Sequence, residues 1–280
     1  MPGAATELPV IGLGTGPLKG DGGVSLMIEA LRMGYRLLDT AAHYGNEAEV
    51  GEAIRASGVP RHEIIVLTKI WPDRIDGKTL PQDAEAGLRR LGLDHIDILV
   101  PHWPNPTIPL AETIGALNDL RRVGITREIG LSNFTIGMMR EAQSLSEAPI
   151  VVNEVEYHPY LVQQSLAAAC RDAGIAMVTH CPLGRAGALF AEPAVTKVAD
   201  RLGKTPAQIV LRWQVQQGAI PIPSSHSASR LRQNIAIFDF TLNEPEMAAI
   251  SALSAHRHRI CEPPIPYSWD TEVAPRLNVG

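Results

Sequence analysis

Cysteine is scarce in this chain: three residues in 280, at 170, 181 and 261. A set that is odd in number and widely spaced predicts neither a disulfide framework nor a zinc cluster. Positive charge is not in excess either. Lys and Arg number 25 against 30 Asp and Glu, a net charge of −5, which argues against a nucleic-acid platform. No apolar run approaches the ~20 residues of a membrane span. The opening Met-Pro-Gly-Ala-Ala-Thr-Glu lacks the basic and apolar parts of a signal peptide, so a cytoplasmic protein is expected. No Gly-x-Gly-x-x-Gly follows the first candidate strand, which weakens an open dinucleotide-binding sheet.

What the chain does have is a hydrophobic fraction of 45% beside 20% charged residues, enough for a large core. It also repeats a pattern. An apolar opening, Leu8 to Ile11, runs into a glycine-rich loop. Helix-period segments near 23–33, 46–57, 80–91, 110–123, 136–144, 163–173 and 193–217 then alternate with apolar runs beginning at 35, 64, 96, 127, 150, 176 and 219. Glycine supplies most of the helix stops. Continuous apolar strands imply burial on both faces and a parallel sheet. Eight strand–helix units with no linker favour an α/β fold, a single-domain (β/α)8 TIM barrel over 1–280, although periodicity alone leaves an open sheet conceivable. Residues 255–280 read as a C-terminal tail over the barrel mouth.

In such barrels reactions take place at the carboxyl ends of the strands. Those ends carry Asp39 with Tyr44, Lys69, His102, Ser132-Asn133, Asn153-Glu154, His180 and Ser224-Ser225. A phenol titrates near roughly pH 10, an adjacent ammonium lowers that value, and a carboxylate keeps the ammonium charged. Asp39, Lys69 and Tyr44 therefore read as an acid-tuning chain, with a neutral His102 orienting a substrate oxygen. The set suits protonation of an oxygen while an organic cofactor delivers electrons to carbon. Each residue has an ordinary alternative. Aspartates cap loops, tyrosines pack, and buried histidines are commonly just hydrogen-bonded; a lone lysine at a buried strand end is harder to dismiss.

These residues lie in stretches that resemble the aldo-keto reductase superfamily: Gly-Leu-Gly-Thr at 12–15, Leu-Asp-Thr-Ala-x-x-Tyr-x-Asn-Glu at 38–47 and Leu-Thr-Lys-Ile-Trp at 67–71. His-Trp-Pro at 102–104, Gly-Leu-Ser-Asn-Phe at 130–134 and Val-Glu-Tyr-His-Pro-Tyr at 155–160 continue the match. Within that family the chain looks most like the bacterial 2,5-diketo-D-gluconate reductase B type. The resemblance implies NAD(P)H-dependent reduction of small activated carbonyls, such as α-ketoaldehydes or diketo sugars, by a monomer. NADPH is the expected cofactor, with NADH the alternative, and no metal is implied. Tyr44 would be the general acid, Lys69 and Asp39 its tuners, and His102 the orienting donor. Ser132 and Asn133 would hold the carboxamide, and Pro182, Leu183 and Gly184 the pyrophosphate. Ser224, Ser225, His226, Arg230 and Asn234 would meet the adenosine end. Thr15 and Gly16 count among the cofactor contacts, and Trp71, Trp103 and Trp269 line the substrate mouth.

Four positions depart from the family pattern. Glu154 stands for a glutamine at the carboxamide, His180 for a stacking aromatic, Gly16 for a bulky aromatic beside the substrate, and Ser224 for a lysine near the 2′-phosphate. A carboxylate only accepts hydrogen bonds, and its charge would favour NADP⁺ unless neutralised; His180 is the expected neutralising partner. An aldolase using Lys69 as a Schiff-base nucleophile is a second reading. A catalytically weak nucleotide-binding or redox-sensing barrel is the third.

Overall fold

In a computed structural model, described for residues 7–256 and 258–270, the chain alternates strand and helix as its sequence implies. The order is β1 (Leu13–Gly14), α1 (Gly20–Met33), β2 (Leu37–Asp39), α2 (Glu47–Ser57), β3 (Ile65–Ile70), α3 (Thr79–Leu91), β4 (Ile96–Pro101), α4 (Leu110–Arg122), β5 (Thr126–Ser132) and α5 (Ile136–Leu145). It continues with β6 (Ile150–Glu156), α6 (Gln164–Asp172), β7 (Ala176–His180), α7 (Ala188–Ala191), α8 (Pro193–Leu202), α9 (Pro206–Gln216), β8 (Ile220–Pro221), α10 (Ala228–Ile235) and α11 (Glu244–Ser251). The strands form one parallel sheet in sequential order. The backbone N–H groups of Gly12 and Gly14 donate to the carbonyls of Pro221 and Pro223, at 3.0 and 3.1 Å. Those two bonds join the first strand to the last, the closure that periodicity could not show, and the fold is a (β/α)8 barrel.

One helical region corrects the sequence reading. Residues 193–217 are two helices, because Gly203 stops α8 in a left-handed conformation at φ 62° and Thr205 caps α9 through a reciprocal box with Gln208. Elsewhere Gly34, Gly58 and Gly92 end helices with positive φ, satisfying carbonyls that a helix end leaves free. Among the described residues no helix is long and apolar enough to cross a membrane.

The core has two compartments. Outward-facing strand residues and inward-facing helix residues make the larger one. Inside the barrel lie Leu37, Ile65, Leu67, Ile98, Val100, Val152, Val178, Ile220 and Ile222. On β1 and the loop that follows it, alternate positions are glycines. A Cβ on Gly12 would stand 2.9 Å from Leu37 and Ile222 side chains, and one on Gly14 would stand 2.8 Å from the Ile222 carbonyl oxygen. The first strand therefore presses bare backbone against its neighbours, which fill the space its side chains would take.

Helix packing imposes a similar demand at Gly51. A Cβ there would lie 1.8 Å from the Leu91 carbonyl oxygen, which Arg55 holds in place at 3.0 Å. Gly51→Ala is expected to force α2 away from α3 and cost about 1–3 kcal/mol, the usual range for overpacking, despite alanine's better helix propensity. Urea unfolding checks the sign; a stabilised variant would contradict this packing.

Candidate active site

Side chains along a strand face one side at every second residue. Two residues beyond Leu37, Leu67, Val100, Val152, Val178 and Ile222 in the barrel interior come Asp39, Lys69, His102, Glu154, His180 and Ser224. On β5 the interior position is Gly130, where a Cβ would crowd Val152 and Val100 at 2.4 and 3.0 Å, and two residues on is Ser132. The polar residues at the strand ends are thus the next layer of the barrel interior. Ladder bonds run past the strand ends to hold that layer: Thr15 N–H to Asp39 O at 2.9 Å, His102 N–H to Ile70 O at 2.8 Å, and Asn133 N–H to Glu154 O at 2.7 Å.

Lys69 is fully buried at the centre. Its Nζ donates to Asp39 Oδ1 and to the Thr40 carbonyl at 3.1 Å. Glu154 Oε2 lies 3.2 Å from the same ammonium as an ion pair, off the line of a hydrogen bond. Burial works against an ammonium, but the Asp39 and Glu154 carboxylates prevail and hold Lys69 above the usual lysine range. Burial, then the Glu154 carboxylate, push the Asp39 carboxyl well up against the opposing pull of Lys69. One ammonium between two buried carboxyl groups is least costly with a proton retained on one of them.

Tyr44 reaches the same cluster from the turn after β2. Lys69 Nζ is 5.3 Å from its ring centroid. Burial raises the phenol above its usual value, and Lys69 pulls in the other direction without overcoming it. The structure therefore reverses the net direction expected from the sequence: Tyr44 stays protonated at neutral pH. Gly16 abuts its ring, an added Cβ being 3.5 Å away. His102 stands edge-on to both Tyr44 and Trp71, with ring centroids 5.6 and 5.2 Å apart. Burial, then the Lys69 charge, hold it well below the usual histidine range, and its buried Nδ1 has no hydrogen-bond partner among the described residues. His43, which the sequence did not single out, stacks on Trp71 at 3.9 Å.

The expected pairing of Glu154 with His180 is not what the structure has. Glu154 points to the barrel centre and is paired by Lys69, whereas His180 Nε2 is 2.9 Å from Asn133 Oδ1. Asn133 Nδ2 donates to the His102 carbonyl at 3.0 Å and to Ser132 Oγ at 3.1 Å, so its amide is committed within the protein. Asn133 adopts φ 63°, a left-handed conformation that asparagine tolerates better than most residues. Thr15 is fully buried, its hydroxyl donating to the Asp39 carbonyl at 2.8 Å. Asn46 clamps this region, accepting from Thr40 Oγ1 at 2.9 Å and donating to the Thr15 and Leu18 carbonyls at 2.8 and 3.1 Å.

Beside the cluster a cavity of about 910 Å³ runs along the ends of β7 and β8. Pro182, Leu183, Ser224, Ser225, His226, Arg230 and Asn234, all singled out from the sequence, line it. Gly184 packs instead toward Leu189 and His158. Pro17, Arg185, Phe190 and Gln233 also line the cavity, and sequence reasoning missed them. Arg185 had a signal: it lies in Gly184-Arg185-Ala186-Gly187, a run with φ between 55° and 59°. Such a run exposes backbone and places a cation beside it. Gln214 fixes the near edge, Nε2 donating to the Pro182 carbonyl at 2.6 Å while Thr179 Oγ1 donates to its Oε1 at 2.7 Å.

The tail closes the other side within its described part, and 271–280 lie outside the described residues. Tyr267 Oη donates to the Asn133 carbonyl at 2.7 Å, Asp270 accepts from the Ile136 N–H at 2.7 Å, and Trp269 stands edge-on to Trp103 at 6.1 Å. Glu156, on the interior face two residues beyond Glu154, anchors this segment by accepting from the N–H groups of Ile260 and Cys261, both at 2.7 Å. That anchoring brings Cys261 to 3.5 Å from Cys181. Two of the three cysteines thus meet across 80 residues of sequence, which their spacing concealed.

Known proteins resemble this chain in sequence and in fold. The model of the aldo/keto reductase family matches residues 10–255. A 2,5-diketo-D-gluconic acid reductase B of Corynebacterium sp. (strain SHS752001) is 44% identical over 88% of this chain and 89% of its own. A methylglyoxal reductase of Escherichia coli O157:H7 is 36% identical over 94% and 99%. Among solved structures, one described as a candidate 2,5-diketo-D-gluconic acid reductase B superposes with a TM-score of 0.89 at 42% identity, covering 94% of both chains. An aldo-keto reductase of Bombyx mori solved with NADP superposes at 0.83 with 34% identity, covering 91% and 92%. The chain belongs to the aldo/keto reductase family of oxidoreductases, which reduce carbonyl groups with nicotinamide cofactors.

Proposed function

We propose that this protein is an NADPH-dependent reductase of small, polar, activated aldehydes and ketones, with Tyr44 as general acid. The observation that carries the reading is the buried Asp39–Lys69–Glu154 cluster with Tyr44 and His102 against it, while Ser224, in the same layer of strand ends, lines the cavity of about 910 Å³. That volume suits an extended cofactor. Its lining fits a dinucleotide: Arg185 and Arg230 are exposed cations there, and α10 opens the far end with backbone N–H groups that favour a phosphate. The orphaned Nδ1 of His102 further supports a polar ligand at the mouth.

When bound, the nicotinamide supplies a hydride to the carbonyl carbon. This chain's residues handle the oxygen. A neutral His102 orients it by hydrogen bonding, and Tyr44 gives its proton as negative charge develops there. Lys69 then faces the forming phenolate and stabilises it. Because Glu154 is neutralised by Lys69, its charge bears less on the nicotinamide than an unpaired carboxylate would. Trp71, Trp103 and Trp269 supply an aromatic wall, and Gly16 sets bare backbone rather than a side chain against the Tyr44 ring. An aromatic wall beside the polar groups of Tyr44 and His102 suits α-ketoaldehydes or diketo sugars, the kinds of substrate named for the similar reductases.

Consumption of NADPH and NADH over a panel of aldehydes, ketones and keto sugars tests the reading. Turnover with NADPH and a dicarbonyl is expected. Arg230→Ala is expected to raise KM for NADPH about tenfold, near the ~1.5–3 kcal/mol of a charged hydrogen bond, and to leave that for NADH nearly unchanged. Equal losses for both cofactors would remove Arg230 from 2′-phosphate recognition. Absence of turnover with every carbonyl and both cofactors would favour the weakly catalytic alternative.

A further inference from the structure

We propose that Cys181 and Cys261 are a peroxide-oxidisable dithiol that closes to a disulfide, tying the C-terminal segment to the end of β7. Their sulfur atoms lie 3.5 Å apart, and both residues are half-buried. A disulfide needs about 2.05 Å, so closure asks for roughly 1.5 Å of approach by two small side chains. The two thiols are held unequally. Cys181 follows β7 and lines the cavity, open to a small oxidant. Cys261 is fixed from behind, its N–H and that of Ile260 bound by the buried Glu156 carboxylate.

The neighbouring groups divide the roles. The contact between the two sulfur atoms holds the Cys181 thiol below its usual range and, with burial, pushes the Cys261 thiol up. Cys181 is therefore the more acidic sulfur and the one to meet peroxide. A ring nitrogen of His180 lies within 4.8 Å of both sulfur atoms. Asn133 Nδ2 is committed to oxygen acceptors, so Asn133 Oδ1 accepts from His180 Nε2–H and Nδ1 keeps its lone pair. That lone pair can take the Cys261 proton.

The chemistry balances with a hydroperoxide as oxidant. Cys181 thiolate attacks one peroxide oxygen; an S–O bond forms, the O–O bond breaks, and the departing hydroxide takes a proton to leave as water. Cys261 sulfur then attacks Cys181 sulfur. The S–S bond forms, the S–O bond breaks, and the second hydroxide leaves as water with the Cys261 proton, passed through His180. Two electrons move from the thiols to the peroxide. The disulfide would join the cavity loop at Pro182 to the segment that carries Tyr267 and Trp269.

Cys170 is the internal control. It is buried against Met139, and burial pushes its thiol up to about 11. The folded full-length protein is treated with substoichiometric hydrogen peroxide, and the products are read by intact mass, thiol counting after denaturation and peptide mapping. Expected are loss of two hydrogen atoms, two of the three free thiols and a linked Cys181–Cys261 peptide, formed at least ~10-fold faster than Cys170 reacts. Cys261→Ser should stop at a Cys181 sulfenic acid that dimedone captures, and Cys170→Ser should close the pair like the unaltered chain. The proposal is overturned if both cysteines oxidise separately without linkage, if Cys170 reacts as fast, or if the purified protein holds stoichiometric zinc that blocks oxidation until chelated. The readout does not involve turnover, so its failure leaves the carbonyl-reductase reading untouched.

Discussion

Tyr44→Phe is expected to lower kcat for carbonyl reduction by about 10²–10⁴ while NADPH binding stays within a fewfold of the original. The substitution removes only the hydroxyl, so the ring keeps its edge contact with His102 and its place against Gly16. Transient binding of NADPH, followed by its fluorescence, separates the two effects. A variant with unaltered kcat would take the proton-donor role from Tyr44. The pH dependence carries the sign. Because burial keeps the phenol above its usual range, the acid form needed for reduction persists through neutral and mildly alkaline pH. Reduction is then flat in this group until pH rises through that raised value, whereas alcohol oxidation, which needs the phenolate, increases with pH.

Lys69→Met is expected to be as damaging to stability as Tyr44→Phe is to turnover. Removing the ammonium leaves Asp39 and Glu154 buried together without a counter-charge. Breaking a buried pair from one side costs about 3–5 kcal/mol, or roughly 6–20 °C in Tm for a chain of this size. The loss is larger at about pH 8 than at about pH 5. The Asp39 carboxyl already titrates higher folded than unfolded, and without Lys69 the main pull against that shift is gone, so the folded variant binds more protons than its unfolded chain. That preference supports stability below the ordinary carboxyl range and is lost as pH rises toward the folded values. Adding Glu154→Gln to Lys69→Met removes one of the two acids and should restore part of the stability, most visibly at the higher pH. A double variant no more stable than the single one would show that Glu154 does not share the Lys69 charge.

Much of the barrel could be read in the residue pattern because burial on both faces makes a parallel strand continuously apolar. Leu67 and Lys69 illustrate how the site followed. With a period of two, the last apolar interior position predicts that the next one opens on the mouth, and the sudden lysine marks it. The cavity lining was legible for a related reason: Ser224, Arg230 and Asn234 lie close together in the chain, so short-range structure carries them to one cavity.

The sequence by itself determined the alternation of strands and helices, the polar layer at the strand ends and the family. Each depends on local periodicity or on residues near one another in the chain. Tertiary structure alone decided the partners. Closure set Gly12 against Pro221, the barrel axis turned Glu154 onto Lys69 and away from His180, and the anchored tail delivered Cys261 to Cys181. It also decided the direction of the Tyr44 shift, because the desolvation opposing Lys69 depends on how completely surrounding strands exclude water. Contacts between residues far apart in sequence arise from the path of the whole chain, and no local pattern encodes them.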